Sequence, residues 1–141
     1  QCLKSRFLLP GITSVPKQFG WARSSFVLPN VLTCADSSFF YRNNLAAVID
    51  LHNVESIGSL NSNGYAPSTW FVIRSDKVCT LSSSYYQNSD IRKVLVPSSL
   101  LDEYKSATNW SKFADNGWFA AIEDYTVDGT TMGALDISKL S

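Results

Sequence analysis

Histidine is almost absent from this sequence and cysteine is scarce, so two broad classes of chemistry start with few reagents. His52 is the single histidine, and any dyad or triad that uses imidazole has to be built on it. The three cysteines, Cys2, Cys34 and Cys79, cannot all pair within one chain. Their spacings of 32 and 45 residues match neither a CxxC redox motif nor a zinc site. No metal site and no cofactor are expected. Charge of one sign is also lacking: twelve Lys and Arg balance twelve Asp and Glu, for a formal net charge of zero. Nucleic-acid binders normally carry a basic excess or a basic stripe, so no nucleic-acid partner is expected. Long apolar runs are missing too. The longest, Leu45–Ile49 and Trp118–Ile122, have five residues, where a spanning helix needs roughly 20, which excludes membrane insertion. There is no signal-peptide pattern and no initiator Met, and Gln1 enters in mid-pattern, as if a longer chain had been cut.

What the chain does have is enough apolar residues for one core. With 141 residues, 45% of them hydrophobic, it suits a single globular unit. It also has an internal repeat. Phe7–Val15, Phe26–Cys34, Ile49–Ile57 and Phe71–Leu81 share a pattern, and Val94–Leu100 begins it again and breaks off. The third position of each gives Leu9, Leu28, Leu51, Ile73 and Val96, separated by steps of 19, 23, 22 and 23 residues. Two positions before these anchors stand Phe7, Phe26, Ile49, Phe71 and Val94. After them come Ile12, Val31 and Val54, then Val15, Cys34 and Ile57, shifted in the fourth unit to Val78 and Leu81 by two extra residues. A separation of two is the strand period, so each unit begins with a short strand. The Pro, Gly, Asn or Ser that follows turns the chain, and a second short extended piece supplies the next inward pair. Units of this kind bury their apolar edges only by stacking. The fold class expected is therefore a β-rich solenoid, a leucine-rich-repeat-like stack of four to five coils closed by a short helical C-terminal cap. The division expected is residues 1–97 for the repeat and 98–141 for the cap and tail.

Between the units, Phe39-Phe40-Tyr41 suits a short helical turn, and the Ser/Asn/Gly-rich run Gly58–Gly64 reads as a loop. After Pro97 the pattern turns helical. Ser99-Leu-Leu-Asp102 fits a capping box, Leu100, Leu101, Tyr104 and Ala107 share a face, and Trp110 and Phe113 suit a second short turn covering the last unit. Trp118–Ile122 suits one more strand, Val127-Asp-Gly-Thr130 a turn, and Thr131–Ser141 has little to anchor it.

Leu28-Pro-Asn-Val-x-Thr and Leu51-His-Asn-Val-Glu-Ser-Ile-Gly resemble the BspA-like leucine-rich repeats of bacterial surface proteins. Val96–Asp115 is similar to a segment that closes such arrays in Gram-positive bacteria and their phages. Ile122–Asp136 resembles a tail in phage structural proteins. The resemblance implies display at a virion or cell surface, with a host-cell protein or glycan, or another virion or surface protein, as partner. It implies no catalytic residue.

The chemistry-bearing residues agree with a non-enzymatic role. Asp50 and His52 stand two apart near Ser56 and Ser75, but His52 fills the slot held by Pro10, Pro29 and Pro97, a turn position, and nothing supplies an oxyanion hole. Cys34 and Cys79 fall on or beside inward positions and read as buried thiols. A polysaccharide depolymerase needs two carboxylates across a groove, yet the outward strand positions Leu8, Val27, Asp50, Val72 and Leu95 contain one acid. Tyr85-Tyr86, Tyr65, Trp70 and Phe19/Trp21 suit core-edge packing or a binding set. The binding face expected is the outward strip Val27, Asp50, Val72 and Leu95 with Trp70 and Lys93, because its apolar character suits contact with a partner or a second copy. The function expected is surface recognition or adhesion in a phage structural or bacterial surface protein. The alternatives are a structural spacer and a depolymerase fragment.

Overall fold

The computed structural model describes residues 6–16, 25–35, 47–60, 69–84, 91–127 and 135–139. Each repeat unit contributes two short strands. The first set is β1 (Arg6–Leu8), β3 (Ser25–Val27), β5 (Ala47–Asp50), β7 (Thr69–Val72) and β9 (Ile91–Val96). The second is β2 (Ser14–Val15), β4 (Thr33–Cys34), β6 (Ser56–Ile57) and β8 (Thr80–Leu81). Between β9 and the final strand β10 (Phe119–Ala121) lie a 3₁₀ turn (Ser98–Leu100) and two helices, α1 (Leu101–Ser106) and α2 (Ser111–Asp115). Among the described residues these strands build a six-stranded sheet, β1-β3-β5-β7-β9-β10, and a four-stranded sheet, β2-β4-β6-β8. Every strand pairing in both is parallel.

The spacing of the repeat sets the register. Phe7 pairs with Phe26, Phe26 with Ile49, Ile49 with Phe71, Phe71 with Val94 and Val94 with Phe119. Each anchor extends the same ladder by one bond: Leu28 N–H donates to Asp50 C=O, Leu51 to Val72 and Ile73 to Leu95. Leu28, Leu51, Ile73 and Val96 are wholly buried, and Leu9, at the outer strand, is half-buried. In the four-stranded sheet Val15, Cys34, Ile57 and Leu81 form the inward row. Phe26, Ile49, Phe71, Val94 and Phe119, the row Val15, Cys34, Ile57 and Leu81, and the anchors Leu28, Leu51, Ile73 and Val96 belong to one core, together with Tyr104, Trp110 and Phe113 from the helices, and Leu9 packs against it. Burial of each large apolar side chain contributes about 1.5–3 kcal/mol, so the anchor row and its neighbours hold the sheets together.

This arrangement corrects the fold class expected from the repeat. It is not a β-rich solenoid of four to five leucine-rich-repeat-like coils closed by a terminal helical cap, but an α/β-like arrangement of two parallel sheets with short helices. Strand β10 decides the point. It continues the six-stranded sheet parallel to β9, and two parallel neighbours have to be joined by a crossover, which a helical segment supplies. The helices are thus internal to the sheet's connectivity.

The helical segment still serves as cover for β8, the last strand of its sheet. Tyr104 Oη accepts from the Cys79 N–H at 2.8 Å, Trp110 Nε1 donates to the Cys79 carbonyl at 2.7 Å, and Asn109 Nδ2 donates to the Leu81 carbonyl at 2.6 Å. Side chains take the bonds that another strand would have made. Asn109 reaches this position with φ 67°, a left-handed conformation that Asn tolerates better than most residues. Tyr104, Trp110, Phe113, Trp118 and Phe119 pack edge-on or tilted with ring centroids 5.4–5.8 Å apart.

Two local expectations also change. Ser99 does not cap the helical segment: the 3₁₀ turn begins at Ser98 with Pro97 before it, and α1 follows with no side-chain cap. The cap comes from across the chain, where Glu123 Oε1 accepts from Ser98 N–H and Oε2 from Ser98 Oγ, both at 2.9 Å. The tail is anchored as well. Leu135 is buried, it bridges Thr126 in antiparallel fashion, and a 3₁₀ turn spans Ile137–Lys139. Cys2, Phe19, Trp21, Phe39–Tyr41, Tyr65, Tyr85-Tyr86, most of the loop 58–64 and the turn residues 128–130 lie outside the described residues.

Candidate functional site

The outward strip does not form the open face expected of it. Trp70, Val72 and Leu95 are buried together with Val48 in a second apolar cluster, closed from outside by Ile122 and Leu135 and flanked by Ala120 and Tyr125. Tyr125 meets the Trp70 ring edge-on at 5.5 Å. The chain's own segment after β10 covers the sheet at these positions. The physical reason lies in the parallel pairing: parallel sheets are normally buried on both faces, and their strands read as continuous apolar runs. The apolar outward positions therefore signal a second core. Val27 is half-buried, and of the wider row Leu8, at 63% exposure, lies open. Lys93 is half-buried and its Nζ donates to the Gly117 carbonyl at 3.0 Å, tying β9 to the turn before β10.

Asp50 is buried for a different reason. Arg74 grips both of its oxygens: Nε lies 3.2 Å from Oδ1 and 3.1 Å from Oδ2, and Nη2 lies 2.9 Å from Oδ2. Oδ1 also accepts from the His52 backbone N–H at 3.2 Å, and His52 Nε2 stands 3.5 Å from it. Such a fork-on-carboxylate pair is directional and strong. The sequence pattern put His52 in a slot shared with prolines, and it does sit in a turn. Its φ of 44°, however, is one that proline cannot adopt. Burial lowers the His52 pKa, Asp50 opposes that effect and Arg74 adds to it. The imidazole is therefore held neutral. Ser75 Oγ donates to the Val54 carbonyl at 2.8 Å and is also within 3.4 Å of the His52 carbonyl, so its bonds go to backbone and not to the imidazole. Asp50, His52 and Ser75 lie near one another without the relay that a triad requires.

Arg74 escaped the sequence reading, although a signal existed. It follows its anchor Ile73 as His52 follows Leu51, so the repeat register alone puts it one strand over from Asp50. Glu123 carried no comparable signal, because it stands 25 residues beyond Ser98 in a segment outside the repeat.

The thiols are closed off. Cys34 and Cys79 are free and buried, and burial pushes both up to about 12, with Cys34 adding to the effect at Cys79. A thiol so far from ionisation is a poor nucleophile and a poor metal ligand. Among the described residues no group of three or more His, Cys, Asp or Glu is placed to hold a metal ion, and no helix is long and apolar enough to cross a membrane.

The outer face of the four-stranded sheet is where polar groups gather. Its outward row pairs Ser14 with Thr33, Thr33 with Ser56 and Ser56 with Thr80. Ser14, Thr33 and Thr80 are exposed and Ser56 half-buried. Beside this row the turn Asn53–Glu55 and the bend Ser75–Val78 enclose a depression of about 460 Å³. Glu55 joins the two features, since its carbonyl accepts from the Thr80 N–H at 3.0 Å. Sequence reasoning did not single out this place, because the two segments are apart in the chain and packing alone sets them face to face. No family model, no curated protein and no solved structure matches this chain.

Proposed function

We propose that this chain is a non-enzymatic recognition module displayed at a virion or cell surface, as part of a phage structural protein or a bacterial surface protein. The observation that carries the reading is the exposed hydroxyl row of the four-stranded sheet with a polar depression at its rim. A regular, rigid strand array holds these groups at fixed spacing, which lowers the entropy lost when a partner binds. The similarity of residues 96–115 and 122–136 to segments of surface and phage structural proteins supports the location. The buried Asp50–Arg74 pair and the backbone-bound Ser75 support the absence of catalysis, because neither the carboxylate nor the hydroxyl is available to a substrate.

A structural spacer is the second reading. It is favoured by the sealing of the apolar strip, which leaves Leu8, Leu32 and Val127 as the exposed large hydrophobics among the described residues. Binding of the labelled chain to intact Gram-positive cells and to a glycan and surface-protein panel separates the two. Saturable binding lost on Thr33→Lys with Ser56→Lys, at unchanged melting, is the outcome expected for recognition. Absence of saturable binding across the panel leaves the spacer. Release of reducing sugar that disappears in Glu55→Gln overturns the non-enzymatic reading altogether.

A further inference from the structure

Two residues that break the repeat shape the depression beside the hydroxyl row. From Leu51 to Val54 the chain advances three positions, whereas the equivalent stretch from Ile73 to Val78 takes five. The added length bends outward at Asp76-Lys77 and forms one wall of the 460 Å³ depression, whose other wall is the turn Asn53–Glu55. That volume falls within the roughly 300–1,000 Å³ typical of small-ligand sites. Val78, half-buried, is the apolar side chain that reaches it, since Val54 has no exposed surface. Around it stand Asn53, Glu55, Asp76 and Lys77, all exposed. None of these four side chains makes a hydrogen bond or ion pair among the described residues.

We infer that this depression binds a neutral saccharide, a deduction that rests on the recognition reading above. The donor and acceptor inventory drives the choice of ligand. Two carboxylates offer acceptors alone, the ammonium offers donors alone, and the carboxamide offers both. A simple anion meets two like charges there, and a simple cation meets Lys77. An apolar ligand strips water from four polar groups and returns nothing. Vicinal hydroxyls satisfy the whole set: each O–H donates to Glu55 or Asp76 while its oxygen accepts from Lys77 or Asn53. The C–H face of a pyranose ring meets Val78. Glu55 continues directly into Ser56, so a longer glycan leaves the depression along the Ser56–Thr80 hydroxyls.

The test uses the full chain, isotope-labelled, titrated with neutral hexoses, N-acetylhexosamines and their disaccharides, and separately with glycine, lysine and inorganic phosphate. Saturable amide shifts confined to residues 53–56 and 75–80, with a saccharide and not with the charged probes, are expected. Glu55→Gln and Asp76→Asn each lower that affinity by about tenfold or more, with unchanged melting, and Leu8→Lys leaves it intact. Shifts produced by glycine or lysine alone, or by no saccharide at millimolar concentration, overturn the inference. So does saccharide binding that survives the double variant. If cells still bind the chain but free saccharides do not compete, the ligand class fails and the recognition reading stands. If nothing binds, both fail.

Discussion

Placing a lysine at Val72 tests whether the outward side of the six-stranded sheet is interior. Val72 has no exposed surface and sits among Trp70, Leu95, Ile122 and Leu135. Losing the valine forfeits about 1.5–3 kcal/mol of apolar burial. Bringing in an ammonium with no partner adds several kcal/mol more, reduced to the extent that the long stem reaches solvent. A total of about 4 kcal/mol or more removes much of the 5–15 kcal/mol typical of a domain. Leu8 belongs to the same row, since Leu8 pairs with Val27, Val27 with Asp50 and Asp50 with Val72, but it is 63% exposed. Leu8→Lys should therefore change stability by no more than about 0.5 kcal/mol. Urea denaturation followed by tryptophan fluorescence measures both variants, and Val72→Ala, which introduces no charge, should fall between them. Equal midpoints for Val72→Lys and the parent protein would refute the reasoning, because the strip would then be solvent-facing and the segment after β10 would not cover it.

Tyr104→Phe keeps the ring but strands the buried Cys79 N–H, so a loss of about 1–3 kcal/mol is expected, with faster hydrogen exchange at the Cys79 amide as the specific signature. Thiol reagents should not label Cys34 or Cys79 in the native chain at neutral pH, since burial holds both near 12; labelling should appear with the unfolding transition, and rapid native labelling of either position contradicts the assigned packing. His52 has a folded pKa below its ordinary 6.5, so the unfolded chain takes up the proton first and stability falls as pH drops below 6.5. His52→Asn, which tolerates the positive φ, should flatten that dependence of melting temperature on pH; an unchanged profile excludes His52 as its source. Glu123 is ionised more readily than usual: burial opposes this, but the bonds from Ser98 N–H, its own backbone N–H and Ser98 Oγ together outweigh it. Its contribution is present at neutral pH and is lost as acid protonates it, so Glu123→Ala should destabilise the chain at pH 7 and converge with the parent in acid.

The repeat made a large part of this molecule legible without a structure. Anchors spaced by 19, 23, 22 and 23 residues determine which residues pair, because a parallel register carries one row of side chains through every strand. Short strands ended by Pro, Gly, Asn or Ser follow from local chemistry, as do buried thiols on inward positions. What the tertiary structure alone decided depends on contacts between segments that share no pattern. β10 pairs with β9 only because α1 and α2 return the chain to that edge, and this turns an expected terminal cap into a crossover. Val72 and Leu95 read as a partner's surface until Ile122 and Leu135 are seen lying on them; hydrophobicity says that a face is covered, but not by what. Asp50 needed Arg74 from the next strand, Ser98 needed Glu123 from beyond the helices, and the depression at Asn53–Glu55 needed the bend at Asp76-Lys77 to give it a second wall. In each case the side chain is explicit in the sequence, while its neighbour is set by packing, which has no period to read.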